Sequence, residues 1–161
     1  MQRIVWVSAT ACAVAVAVAM GGAQLVGANG KDNDDHGAGR PCSEATIRGD
    51  YGIQLQGTGP APGGLTESVI GVVHRTYDGR GNIEQVDNVK GSITGIVPDR
   101  PGFGTYQVNP DCTGSARFEP GPGIVILERL VIVDNGREIR SMVQSPASRM
   151  INGVHQRMHT R

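Results

Sequence analysis

Aromatic residues are scarce: one Trp, three Tyr and two Phe in 161 residues. Basic excess is missing too, since 15 Lys and Arg face 15 Asp and Glu. Nucleic-acid binders combine aromatic platforms with a basic groove or patch. This chain is short of both, so no nucleic-acid partner is expected. It has no Gly-x-Ser-x-Gly elbow, no His-Glu-x-x-His and no Gly-Lys-Ser/Thr phosphate loop. Those absences set aside the familiar hydrolases, zinc proteases and nucleotide enzymes. They leave open an acid/base or cyclisation step in a cavity. Past Gly30 no apolar run approaches the about 20 residues that a membrane-crossing helix needs.

The apolar run that does exist lies at the N-terminus. Arg3 precedes an uncharged stretch from Ile4 to Met20, and Val26-Gly27-Ala28 offers a small-x-Ala cleavage site. This is the form of an export signal, so residues 1–28 are expected to be removed. The mature chain then has no membrane span, and it belongs in the periplasm or the extracellular space. Cys12 lies inside the apolar run with Ala9-Thr10-Ala11 before it, which does not fit a lipid-modified cysteine.

Cysteine is rare, with three in the chain. Cys12 leaves with the signal. Cys42 and Cys112 remain as an even pair bound for an oxidising compartment, so a disulfide between them is expected. It would close a loop of about 70 residues, worth on the order of 4 kcal/mol in the chain-entropy account. Neither cysteine has a neighbouring His in sequence, so they do not make a zinc site.

Residues 29–41 form a polar linker with no apolar periodicity to bury. Counted as a calcium loop from Asp32, its fifth position is His36 and its twelfth is Ser43. Both are wrong for an EF-hand.

Residues 42–161 carry a different pattern. Short runs rich in Val, Ile and Thr alternate with clusters of Gly, Pro, Asp and Asn. The runs are Thr46 to Gln56, Glu67 to Tyr77, Asn82 to Lys90, Ser92 to Val97, Phe103 to Val108, Thr113 to Glu119, Ile124 to Val133, Glu138 to Gln144 and Arg149 to Met158. Gly57 to Gly64, Pro98 to Gly102 and Glu119 to Gly123 are expected as loops. Asp78-Gly79-Arg80-Gly81 and Asp134-Asn135-Gly136-Arg137 are hairpin signals. The pattern predicts an all-β domain, either a sandwich or, as the favoured reading, an antiparallel meander closed as a barrel of about eight strands. Closure removes exposed edges, and glycines suit barrel corners.

Three phrases are distinctive: Tyr77 to Asn82, Gly104 to Gly114 and Val131 to Ile139. They resemble a family of small exported bacterial proteins of unestablished function. Its members carry an early Cys, an aromatic-Asp-Gly-x-Gly turn and a Gly-Thr-Tyr-x-Val-Asn-x-Asp-Cys-Thr-Gly segment. The resemblance covers most of Cys42 to Met158. It implies a barrel like that of the calycins or of allene oxide cyclase, and it transfers no catalytic residue.

Several residues are candidates for a pocket. Tyr106 and Asn109 stand in the most distinctive segment and could line a mouth, although Asn109-Pro110-Asp111 is also ordinary turn chemistry. Glu128 and Arg129 interrupt the most apolar run. Neighbours on a strand face opposite sides, so in a closed barrel one of the two points inward unless a bulge, or a strand end at Arg129, puts both in solvent, and the cost of burying a charge makes solvent the expectation. A buried charge needs a partner, and His74, Arg75, Arg140 and Gln144 are available. His155 and His159, near Met150 and Met158, are four residues apart. On a strand that is ~13 Å, too far for shared copper ligation, and a solvated terminal strand is the expectation. Arg48-Gly49-Asp50 begins a strand as ordinary turn residues. No metal and no cofactor is expected. The leading functional reading is a binding module for a small apolar molecule. One alternative is an envelope interaction protein without a pocket, and another is a cyclase-like enzyme.

Overall fold

The structure, a computed structural model, describes residues 40–159. The expected export signal and nearly all of the polar linker lie outside the described residues. Eight strands follow in order: β1 (Gly49–Ala61), β2 (Leu65–Tyr77), β3 (Asn82–Gly91), β4 (Gly95–Val108), β5 (Thr113–Gly121), β6 (Ile124–Val133), β7 (Glu138–Ser145) and β8 (Met150–Arg157). Each pairs antiparallel with the next, and β1 pairs with β8 from Tyr51↔Arg157 to Thr58↔Met150, so the meander closes into a barrel. No described helix is long and apolar enough to cross a membrane.

Alternation drives the fold. On β6, Ile126, Glu128, Leu130 and Ile132 are buried, whereas Val125, Arg129 and Val131 are exposed. A slip of one residue would exchange the two faces. Hairpins set the register at one end. Asp78 Oδ1 accepts from the backbone N–H of Arg80 (2.7 Å) and Asn82 (2.9 Å), and Gly79 takes the positive φ of 78° that the turn requires. These bonds pull the Asp78 carboxyl down to a pKa of about 2.

The strands are longer than their sequence punctuation suggests, and three expected loops are corrected. β1 runs through Gly57 to Ala61, with Pro60 opposite Thr66 on β2. The β8 pairing has ended by then, at Thr58, so proline's missing N–H costs no ladder bond. Pro98 to Gly102 is strand as well, which merges two expected runs into β4 and reduces nine strands to eight. Asp87 pairs with Arg100 and Val89 with Val97, so β4 bulges at Pro98-Asp99. A bulge accommodates proline in a ladder. The chain reverses earlier than expected, at Ser92–Thr94, where Glu67 caps the turn. Its Oε2 accepts from the N–H of Ile93 (2.8 Å) and Thr94 (2.9 Å). β5 likewise continues to Gly121 through the expected loop.

One end of the barrel is plugged. A 3-10 turn, Glu44–Ile47, lies across it with Ile47 fully buried. Cys42 and Cys112 are disulfide-bonded there, with their Cα atoms 5.0 Å apart. Beneath the plug all three tyrosines pack together. The Tyr77 ring stands edge-on to Tyr51 at 5.3 Å and to Tyr106 at 4.9 Å. Leu130, Ile132, Ile139 and Ile83 complete this core.

Candidate functional site

The other half of the barrel interior is not filled. There the inward residues are Leu55, Val69, Val73, Ile126, Val143 and Ile151, which wall a cavity of about 70 Å³ open to water-sized molecules. A single buried water needs ~10–15 Å³ by the same measure, so there is room for a small or slender molecule. Strand ends place the mouth near the turns at Pro62–Gly64 and between β7 and β8.

The cavity floor is polar. Arg75 on β2, Gln85 and Asp87 on β3, Glu128 on β6, Ser141 on β7 and His155 on β8 all reach it. Each shares the inward parity of an apolar neighbour on its own strand: Val73 and Tyr77, Ile83, Ile126 and Leu130, Ile139, and Ile151. Arg75 Nη1 donates to Glu128 Oε2 at 2.8 Å, and its Nε donates to Gln85 Oε1 at 2.8 Å. Gln85 Nε2 donates to Asp87 Oδ2 at 3.2 Å. Arg100, reaching in from β4, donates to both Asp87 oxygens at 3.0 and 3.2 Å. The Arg75 guanidinium also stacks on the Phe118 ring, 4.7 Å from its centroid. Burial disfavours the Arg75 charge, but Glu128 and Tyr77 together outweigh it and hold the group more firmly charged than a free arginine.

A second arm runs along the floor. Tyr77 Oη lies 3.3 Å from Arg75 Nη1 and 3.1 Å from His155 Nδ1, and His155 Nε2 lies 2.9 Å from Ser141 Oγ. Gly153 faces inward beside them. A Cβ there would sit 2.9 Å from Ser141 Oγ, so glycine leaves the hydroxyl its place. Burial, reinforced by the Arg75 charge, drives the His155 pKa well below that of free imidazole. Burial pushes Tyr77 up to about 12 against the opposing pull of Arg75. Both side chains are therefore neutral near pH 7.

Charge along the cavity is not balanced. Arg75 is matched by Glu128 and Arg100 by Asp87. Arg149, which also borders the cavity, has no ion pair among the described residues. Partial burial, then the nearby Arg100, lowers its pKa.

The residues singled out in sequence separate. Glu128 points inward and finds Arg75, while Arg129 on the same strand is exposed on the outer wall. Tyr106 is buried at the plugged end, where its hydroxyl accepts from Gly79 N–H at 2.9 Å and donates to Glu44 O at 3.1 Å. Asn109 is exposed in the turn before Cys112 and bonds Thr113 Oγ1 at 2.9 Å. Tyr106, Glu128 and Arg129 do border one open hollow on the outer wall, but the Tyr106 and Glu128 side chains are buried behind that wall. His155 corrects the expectation of a solvated terminal strand: it is fully buried in the barrel, and His159 is exposed beyond β8. Among the described residues no three His, Cys, Asp or Glu side chains form a metal-holding group.

Scanned against protein-family models, curated proteins and solved structures, the chain matches none. The eight-stranded closed meander is consistent with a calycin-like fold. Fold alone does not fix function, so the site carries the functional argument.

Proposed function

We propose that the protein is an exported binding module whose barrel takes one small, largely apolar molecule into its open half. The observation that carries this reading is the contrast within one barrel. Apolar side chains fill the interior at the plugged end, yet similar side chains wall an unfilled space at the other. Apolar walls with a few convergent polar groups are the usual composition of a small-molecule site. Export is supported by the Arg3-to-Ala28 signal pattern and by the pairing of Cys42 with Cys112.

The test is native mass spectrometry of the protein recovered from its own cells, followed by denaturing release. A stoichiometric small molecule that leaves on unfolding is the expected result. The bare mass in repeated preparations would overturn the reading.

A second reading rests on the outer wall. Ile70 and Val72 on β2 and Val86 on β3 are 59%, 61% and 41% exposed. Such a strip supports an envelope interaction protein. Cross-linking in cells that traps a partner in the wild type but not in Val72→Glu would favour it. A cyclase-like enzyme is the third reading. It needs an inward charge beside an apolar substrate, and Glu128 is inward but already engaged by Arg75.

A further inference from the structure

The hydrogen-bond chain on the cavity floor has a direction. Arginine only donates, so Tyr77 Oη accepts from Arg75 Nη1. The phenolic proton then has one acceptor among the described residues, His155 Nδ1. A neutral imidazole that accepts at Nδ1 carries its proton on Nε2. That N–H faces Ser141 Oγ at 2.9 Å and donates to it. The opposite tautomer would set Nδ1–H against Tyr77 and strand the phenolic proton in a sealed site, an unsatisfied donor that is costly to bury. Ser141 Oγ therefore accepts from His155, and its own proton has no acceptor among the described residues. Ser141 is half-buried and borders the cavity.

This polarity has a chemical consequence. A nucleophilic serine needs a histidine nitrogen that takes its proton. Here the facing nitrogen donates instead. Ser141 is thus arranged as a hydrogen-bond donor to whatever occupies the cavity, not as a nucleophile.

We infer that the Ser141 hydroxyl is the ligand-orienting donor of the cavity, and that its ligand is an apolar molecule led by a neutral carbonyl oxygen. This rests on the small-molecule reading above. The carbonyl is neutral because the floor charges are already matched, Arg75 by Glu128 and Arg100 by Asp87. A carboxylate driven down to Ser141 would lie near Glu128 with no free cation to offset its desolvation. Among the described residues that line the cavity, the unmatched cation is Arg149, on the turn between β7 and β8 at the mouth. A carboxylate would be held there, head outward, away from Ser141.

Titrating the purified protein and Ser141→Ala with methyl propyl ketone, n-pentane and pentanoate, sized to the cavity and followed by NMR shifts, tests this. The ketone is expected to bind wild type about fivefold to tenfold more tightly than the alkane, the range of one neutral hydrogen bond. Ser141→Ala removes that preference and leaves the alkane and pentanoate within about twofold of wild type. A long-range nitrogen–proton spectrum of wild type, which needs no variant to fold, places the His155 proton on Nε2. Equal wild-type affinity for ketone and alkane overturns the inference and leaves the binding reading standing. So does a variant that weakens all ligands alike, or a proton on Nδ1. If none of the three probes binds, both the inference and the small-molecule reading fall.

Discussion

The two ends of this barrel are built from the same strands and do opposite things. At the plugged end the inward positions are large: Tyr51, Tyr77, Tyr106, Leu130 and Ile139, with Ile47 closing the top. At the open end the inward positions are mostly aliphatic or small, among them Val69, Val73, Val143 and Gly153, with Phe118 the one aromatic among the described residues that line the cavity. The boundary between them is the layer of charged and polar side chains on the floor. A small eight-stranded barrel can be filled by side chains or can hold one ligand, and this one divides the two options along its axis.

The contrast predicts where the molecule is sensitive. Glu128→Ala leaves the Arg75 guanidinium buried and unpaired on the boundary layer, and it should cost about 3–5 kcal/mol in denaturant unfolding. Replacing both residues with Leu and Met should cost clearly less, because the stranded charge goes with them. If the double variant is as unstable as the single one, the ion pair is not the reason. Next comes the plug. Replacing Cys42 and Cys112 with Ala frees a loop spanning 70 residues and should lower stability by on the order of 4 kcal/mol.

Truncations should separate the ends. Leu130→Ala at the plugged end should destabilise by about 3 kcal/mol through the void it creates, and Val143→Ala on the cavity wall by about 1 kcal/mol. Equal costs would mean that the open half is as tightly packed as the other. A pH dependence at the boundary is similar in size to the Val143→Ala effect. His155 has a folded pKa depressed below its unfolded value near 6.5. Below pH 6.5 the unfolded chain binds the proton that the folded barrel refuses, so acidification removes stability by up to about 1.4 kcal/mol per pH unit. His155→Gln should flatten that slope between pH 6.5 and 5, read from thermal unfolding at each pH. An unchanged slope would assign the acid sensitivity to carboxylates. Glu67, which caps the β3–β4 turn with a lowered pKa, would act only from about pH 4.5 downward.

Much of the fold was legible because strand alternation and turn chemistry are local. Asp78-Gly79 and Asn135-Gly136 mark real reversals, where Gly79 and Gly136 both have φ of 78°. Proline misled in the same local way. Pro60, Pro98 and Pro101 look like loop residues, yet they occupy strand positions. For Pro60 and Pro98, one-sided pairing and a bulge, respectively, tolerate the missing N–H. The candidate site was half legible. Parity allowed one of Glu128 and Arg129 to face inward, but the cost of burying a charge made two solvent-facing charges the expectation, and nothing local showed that Arg75 would partner Glu128. Tyr106 looked like a mouth residue and is a packing residue, because its strand end lies under the plug. Ser141 and His155 carried no motif: their meeting depends on the β7–β8 register and on Gly153 leaving space.

The amino-acid order by itself determined an all-β meander, the near-equal spacing of its reversals and the alternation that gives each strand an inner face. Those follow from a two-residue period and from turn residues, which act within a few positions. Only the tertiary structure decided which end is plugged, which charge faces in and which six strands (β2, β3, β4, β6, β7 and β8) share one polar floor. Closure of β1 on β8 sets those juxtapositions, and contacts between residues as far apart as Arg75 and Glu128 are fixed by shared register across the barrel, not by any local pattern.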